Sequence, residues 1–240
     1  MLRSGIHAPV GPLIRGLHLP DLRLPGLVPF LLAGLLRATP PSLEAQLGGR
    51  PADEWAVVLE SGRRLATLDI QNVVEAVEVK PGDVVADIGA GTGIFSVPLA
   101  RAAGSDGEVL AVEVDEGFMP LIEAKADSAG LENVRTVLGA YEDPLLPRRD
   151  VDVAFFHDVL HHIEDRQAYL RNTAAYMAPG SRIAVVDYRG GHPDAPHGDR
   201  PEMQITQDEV TDWMEAAGFE LLREIELFDE KFFVVYGKVE

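Results

Sequence analysis

The chain is 240 residues long, 46% hydrophobic and 25% charged, which suits one globular domain with an appendage and excludes wholesale disorder. Its net charge of −18 is the wrong sign for covering nucleic-acid phosphates, so DNA or RNA is not expected as a partner. With no cysteine, disulfides, thiolate metal sites, iron–sulfur clusters and cysteine nucleophiles are all excluded.

Residues 1–50 read as a proline-rich extension. Seven prolines fall before residue 42, and residues 1–43 carry Arg3, Arg15, Arg23 and Arg37 against the single acid Asp21. Proline at that density breaks helices. The apolar run Leu27–Leu36, between Arg23 and Arg37, is too short for an integral membrane span, which needs ~20 residues. Its length and basic flank fit a secretory or anchor-like signal, although Leu43-Glu44-Ala45 is a poor cleavage site. Export or membrane association through residues 1–45 therefore stands beside a cytoplasmic location.

Residues 51–240 read as the folded domain. Apolar spacing predicts helices over Ala52–Glu60 and Leu65–Val79, the second stopped by Lys80-Pro81-Gly82-Asp83. Five short runs rich in Val and Ile follow: Val84–Ile88, Val109–Val114, Val134–Leu138, Val151–Phe156 and Ile183–Val186. Their continuous apolar character marks strands buried on both faces of a parallel sheet. Helical segments at 93–103, 117–129, 164–177 and 207–217 alternate with them, which predicts a Rossmann-like doubly wound sheet with helices on both faces. Leu221–Phe228, the turn Asp229-Glu230-Lys231 and Phe232–Tyr236 predict a final hairpin with one antiparallel strand.

Two features carry chemistry. Asp87-x-Gly89-Ala90-Gly91-Thr92-Gly93 follows a buried strand and opens a helix, so backbone can pass close to a ligand. A dinucleotide fingerprint would need glycine at 94, where Ile94 stands, and Asp87 suits a cationic ligand head better than a pyrophosphate. Glu113, with Val114 after it, ends the second strand, where a carboxylate can accept both hydroxyls of a ribose.

With these residues the sequence resembles the class I S-adenosylmethionine-dependent methyltransferases. Asp152-Val-Ala-Phe-Phe-His157-Asp158 and Tyr176-Met-Ala-Pro-Gly180 through Asp187-Tyr188 look like the ubiquinone/menaquinone-biosynthesis C-methyltransferases and their relatives. The resemblance implies a seven-stranded sheet of order 3-2-1-4-5-7-6 with strand 7 antiparallel. It also implies S-adenosylmethionine as cofactor and a small-molecule methyl acceptor. The chain departs from the pattern after the third strand: Gly139-Ala140-Tyr141 lacks the family's adenine-binding Asp. The adenine is then expected on the Ala140 backbone and the Tyr141 ring, with Glu142 or Asp143 as fallback.

On the acceptor side, His157 and Asp158 end the fourth strand and Tyr188 follows the fifth, so these three are the candidate catalytic groups, His157 also as a cofactor contact. His192 and His197 lie in a Gly/Pro-rich loop, 189–201, suited to a lid. His157 and His161 have chelating i, i+4 spacing, but His161 and His162 read first as capping or packing residues of the fourth helix, and no metal is expected. Two alternatives remain: a non-catalytic S-adenosylmethionine-binding module of the same fold, and an NAD-dependent oxidoreductase. The oligomeric state is not readable.

Overall fold

A computed structural model describes Arg50–Val239. These residues belong to the second of the two units into which the chain divides, Pro41–Glu240. The proline-rich extension, with its signal-like run Leu27–Leu36, lies outside the described residues.

Three helices precede the sheet: α1 (Ala52–Leu59), α2 (Gly62–Leu65) and α3 (Ile70–Val77). Then come β1 (Val84–Ile88), α4 (Ser96–Ala103), β2 (Glu108–Glu113), α5 (Met119–Ser128), β3 (Val134–Leu138) and β4 (Val151–His157). The remainder is α6 (Arg166–Ala174), β5 (Met177–Tyr188), α7 (Gln207–Ala216), β6 (Phe219–Glu224) and β7 (Lys231–Lys238). The strands form one sheet of order β3-β2-β1-β4-β5-β7-β6. All neighbours are parallel except β5–β7 and β6–β7. The expected fold class and strand order are those observed.

The period-two geometry of strands explains why the central runs are apolar throughout. Val84, Ala86 and Ile88 of β1 pack with Phe156, Leu170 and Val210 on one face of the sheet. Val85 packs on the other, with Val73, Leu99, Phe155 and Val235. Each face is thus covered by helices, and every side chain of β1 is buried. Among the described residues no helix is long and apolar enough to cross a membrane.

Local differences from expectation have local causes. The helix expected over Leu65–Val79 is split, because Asp69 takes a left-handed turn (φ 44°) while Leu68 is buried. The helix expected from Gly93 begins at Ser96, since glycines 89, 91 and 93 all have positive φ and cannot continue a right-handed helix. Strand β5 starts at Met177, which pairs with Val151 before an irregularity around Gly180. In the hairpin, β6 occupies Phe219–Glu224 rather than Leu221–Phe228, and its register shifts between Leu221 and Arg223.

Candidate functional site

The C-terminal edge of β1 and β2 forms a cradle. Gly89 and Ala90 both donate their N–H to the Val112 carbonyl, at 2.9 and 3.0 Å, which folds the turn against the end of β2. Gly91 then donates to Glu113 Oε2 at 2.9 Å, and Val114 to Glu113 Oε1 at 2.8 Å. The Asp115 N–H is a further backbone donor to this carboxylate, whose two oxygens together offer about four acceptor sites. Burial raises the Glu113 carboxyl above its ordinary value, against the opposing backbone donors.

Positive φ favours glycine at both 89 and 91, and at 89 packing requires it as well. At Gly89 (φ 69°) a Cβ would collide with the Val159 side chain, whose own Cβ would be 2.9 Å away. At Gly91 (φ 55°) it would meet Leu59 Cδ1 of α1 at 3.4 Å. The turn is therefore clasped between α1 and the segment after β4.

Asp87 is 3% exposed and accepts from Ser96 Oγ at 2.6 Å. Burial pushes its carboxyl up to about 7, with Glu113 adding to the rise and Ser96 opposing it. A carboxyl poised there gains most from a cationic partner. Thr92 is buried at the same turn.

Beyond β3, the Ala140 N–H is spent on the Asp143 carbonyl at 2.8 Å, so it closes a turn. Asp143 is likewise engaged, accepting from Leu145 N–H and the Tyr176 hydroxyl. The Tyr141 hydroxyl is buried with no hydrogen-bond partner. Burial raises its pKa, and the carboxylates of Asp115 and Glu113 add to the rise.

The fourth and fifth strands build a second group of side chains. The His157 ring, 8% exposed, lies 4.4 Å from the Phe95 ring, centroid to centroid, and its Nε2 has no hydrogen-bond partner. Its Nδ1 lies 3.5 Å from Asp158 Oδ2. Burial lowers the imidazole to about 4, helped by Lys231 and Arg64 and opposed by Asp158, so the ring is neutral at pH 7. Asp158 sits in a left-handed conformation (φ 55°) and pairs with Lys231 Nζ at 2.8 Å and Arg64 Nη2 at 3.5 Å. Burial raises its carboxyl, but His157, Lys231 and Arg64 outweigh that and hold it below the ordinary value. Lys231 Nζ lies 4.6 Å from the centre of the Tyr188 ring. Burial and Asp158 raise the Tyr188 phenol, keeping it protonated at neutral pH.

The three catalytic candidates are thus brought together, joined by two cations that the sequence reading missed. Lys231 was expected in a hairpin turn and Arg64 between two helices; neither position carries a local signal. His161 and His162 do not belong to the fourth helix. They occupy a 3-10 turn, Leu160–His162, and α6 is capped instead by Asp165, which accepts from Ala168 N–H. His161 joins not His157 but His162 and His197.

Residues 85–180 match the family model described as a methyltransferase domain. The ubiquinone/menaquinone biosynthesis C-methyltransferase of a Shewanella species is 23% identical over 49% of this chain and 47% of its own length. A ribosomal RNA small subunit methyltransferase A of Pelotomaculum thermopropionicum is 40% identical over 29% of this chain and 22% of its own. The matches therefore span half the length of these relatives or less. Among solved structures, a SAM-dependent methyltransferase from Aquifex aeolicus has a TM-score of 0.70 at 25% identity, covering 78% of this chain and 98% of that one. With its sheet order, cradle and the match over residues 85–180, the chain resembles the class I S-adenosylmethionine-dependent methyltransferases, the ubiquinone/menaquinone C-methyltransferases among them.

Proposed function

We propose that the protein is an S-adenosylmethionine-dependent methyltransferase acting on a small-molecule acceptor. The observation that carries this reading is the bond between Gly91 N–H and the Glu113 carboxylate, which joins the glycine turn to the ribose acid in one cradle. The residues fit the cofactor: Glu113 takes the ribose hydroxyls, Asp87 suits the cationic methionyl end, and the unpartnered Tyr141 hydroxyl and His157 Nε2 are buried groups awaiting a ligand. Bound there, S-adenosylmethionine supplies an electrophilic methyl group on a sulfonium.

The protein's own part is positioning and charge. Much of the rate of an in-line displacement comes from holding the two reactants together. His157, neutral and with a free Nε2, accepts a hydrogen bond from the acceptor and orients it. It is a weak base at this pKa, and Asp158 is weaker still because Lys231 and Arg64 occupy it. Lys231 and Arg64 outnumber Asp158, so an acceptor deprotonated at oxygen or carbon before the transfer is favoured here. The overall charge of −18 meanwhile disfavours a strongly anionic acceptor on approach.

The ubiquinone/menaquinone-type relatives support a small, partly apolar acceptor, and the acidic surface argues against RNA despite the short match to a ribosomal RNA enzyme. The test is transfer of labelled methyl from S-adenosylmethionine into a fractionated metabolite extract. A labelled small molecule supports the proposal. Cofactor binding with no labelled product favours the non-catalytic module.

A further inference from the structure

We propose that His161, His162 and His197 form a binding site for a divalent transition metal, zinc foremost, beside the candidate acceptor site. Their ligand nitrogens all lie within 4.8 Å of one another. The ring centroids are 4.1 Å apart for His161–His162, 5.7 Å for His161–His197 and 5.8 Å for His162–His197. Zinc–imidazole bonds of ~2.0–2.1 Å in a tetrahedron set the nitrogens ~3.4 Å apart, so modest ring rotations close the site. Two ligands come from the turn after β4 and the third from the loop after β5, a set that sequence spacing alone does not announce.

The second observation is how His161 is held. Asp187, 0% exposed, accepts from the His161 backbone N–H at 3.1 Å and from Tyr188 N–H at 2.8 Å. Its Oδ1 also lies 2.6 Å from His161 Nδ1. A carboxylate accepting backbone bonds on both oxygens can only accept from the ring, so Nδ1 carries the proton and Nε2 is left as the ligand atom. A buried carboxylate that fixes the tautomer is the usual outer support of a metal-bound histidine.

His197 is also fixed. It takes a left-handed conformation (φ 62°), unusual for a side chain of its size, and its carbonyl accepts from Arg200 N–H at 2.9 Å and Gln204 Nε2 at 2.7 Å. Arg200 opposes a cation here, while Asp187 beneath His161, together with Asp158 and Asp199, favours it. Borderline-soft imidazole donors select zinc and its neighbours over magnesium or calcium, and three of them leave a fourth position for oxygen. The His161 ring is 6.0 Å from that of Tyr188. That the oxygen belongs to a methyl acceptor rests on the methyltransferase reading; the metal site itself does not.

The test is calorimetric titration of tag-free, metal-stripped full chain with zinc chloride, without S-adenosylmethionine. One saturable site per chain is expected, of micromolar affinity or tighter. His197→Ala, in a loop, should weaken binding at least ~100-fold, Asp187→Asn ~10–100-fold, and His192→Ala not at all. Circular dichroism establishes that each variant is folded. Absence of a saturable site, or unchanged affinity in His197→Ala, overturns the proposal. Glu113→Ala should bind zinc like the parent. If zinc binds and S-adenosylmethionine does not, the enzymatic reading falls while the metal site stands.

Discussion

Lys231 and Asp158 face each other across the sheet, Nζ 2.8 Å from Oδ1, at the start of β7 and the end of β4. Both side chains are almost wholly withdrawn from solvent. Charges buried this deeply cost several kcal/mol each and persist only when paired.

Removing one partner should therefore be costly. Lys231→Met leaves Asp158 with the longer contacts to Arg64 and His157, and ~3–5 kcal/mol of stability should be lost. Chemical denaturation of Lys231→Met, Asp158→Asn and the double variant measures the coupling. The double variant should recover part of the loss, by ~0.5–3 kcal/mol relative to the sum of the singles. Strict additivity would show that the pair is not coupled.

The glycine turn makes a paired prediction. Alanine at Gly89 meets both positive φ and the Val159 side chain, whereas alanine at Gly130 (φ 67°) meets nothing within 4 Å. Gly130→Ala should cost ~1–2 kcal/mol from backbone strain alone. Gly89→Ala should cost more, with partial rescue by Val159→Ala. Thermal denaturation of the three variants decides this; equal losses at the two glycines would contradict the packing.

Asp87 sets a pH dependence. Its carboxyl is raised from 3.8 to about 7, so between those values the folded protein holds a proton that the unfolded chain releases. Stability from this group falls as pH rises through that window and stays low above it, by at most roughly 4 kcal/mol at ~1.36 kcal/mol per unit. Asp87→Asn removes the fall, so the variant should gain on the parent from pH 5 to pH 8. His157, lowered from 6.5 to about 4, acts oppositely: its contribution is lost as pH falls through that range. Comparing parent and variant at each pH cancels the histidine. A constant difference across pH would contradict the burial of an ionisable Asp87.

His157 should matter to turnover more than to binding. His157→Ala should lower kcat on the true acceptor by ~10-fold or more, with S-adenosylmethionine affinity reduced less. Full turnover in the variant would remove the residue from the mechanism.

Much of this was legible in sequence for a physical reason. A strand buried on both faces must be largely apolar, and Val84–Ile88 matches its observed bounds for that reason; Val134–Leu138 also matches, but as an edge strand that exposes Arg135 and Leu138 it is not buried on both faces as expected. The glycine turn and Glu113 lie at strand ends whose positions follow from those runs. What escaped depends on tertiary contact. Arg64 reaches Asp158 across 94 residues of chain and Lys231 across 73, and no local sequence pattern marks either pairing. The split at Asp69 escaped because helical spacing continues through it and only the backbone reveals the left-handed turn. Ala140 was expected to hold the adenine through its backbone, yet its N–H is taken up by a turn to Asp143.

The central claim is that Glu113 and the glycine turn together hold an adenosyl sulfonium, and calorimetry tests it most directly. Full chain titrated with S-adenosylmethionine should show one saturable site, and NAD none. In Glu113→Gln the new amide group must face the N–H of Gly91 or Val114, donor against donor. With a charge-assisted bond also lost, ~1.5–3 kcal/mol, affinity should drop ~10–150-fold. A parent that binds NAD in preference, or a Glu113→Gln variant that binds S-adenosylmethionine undiminished, would contradict it.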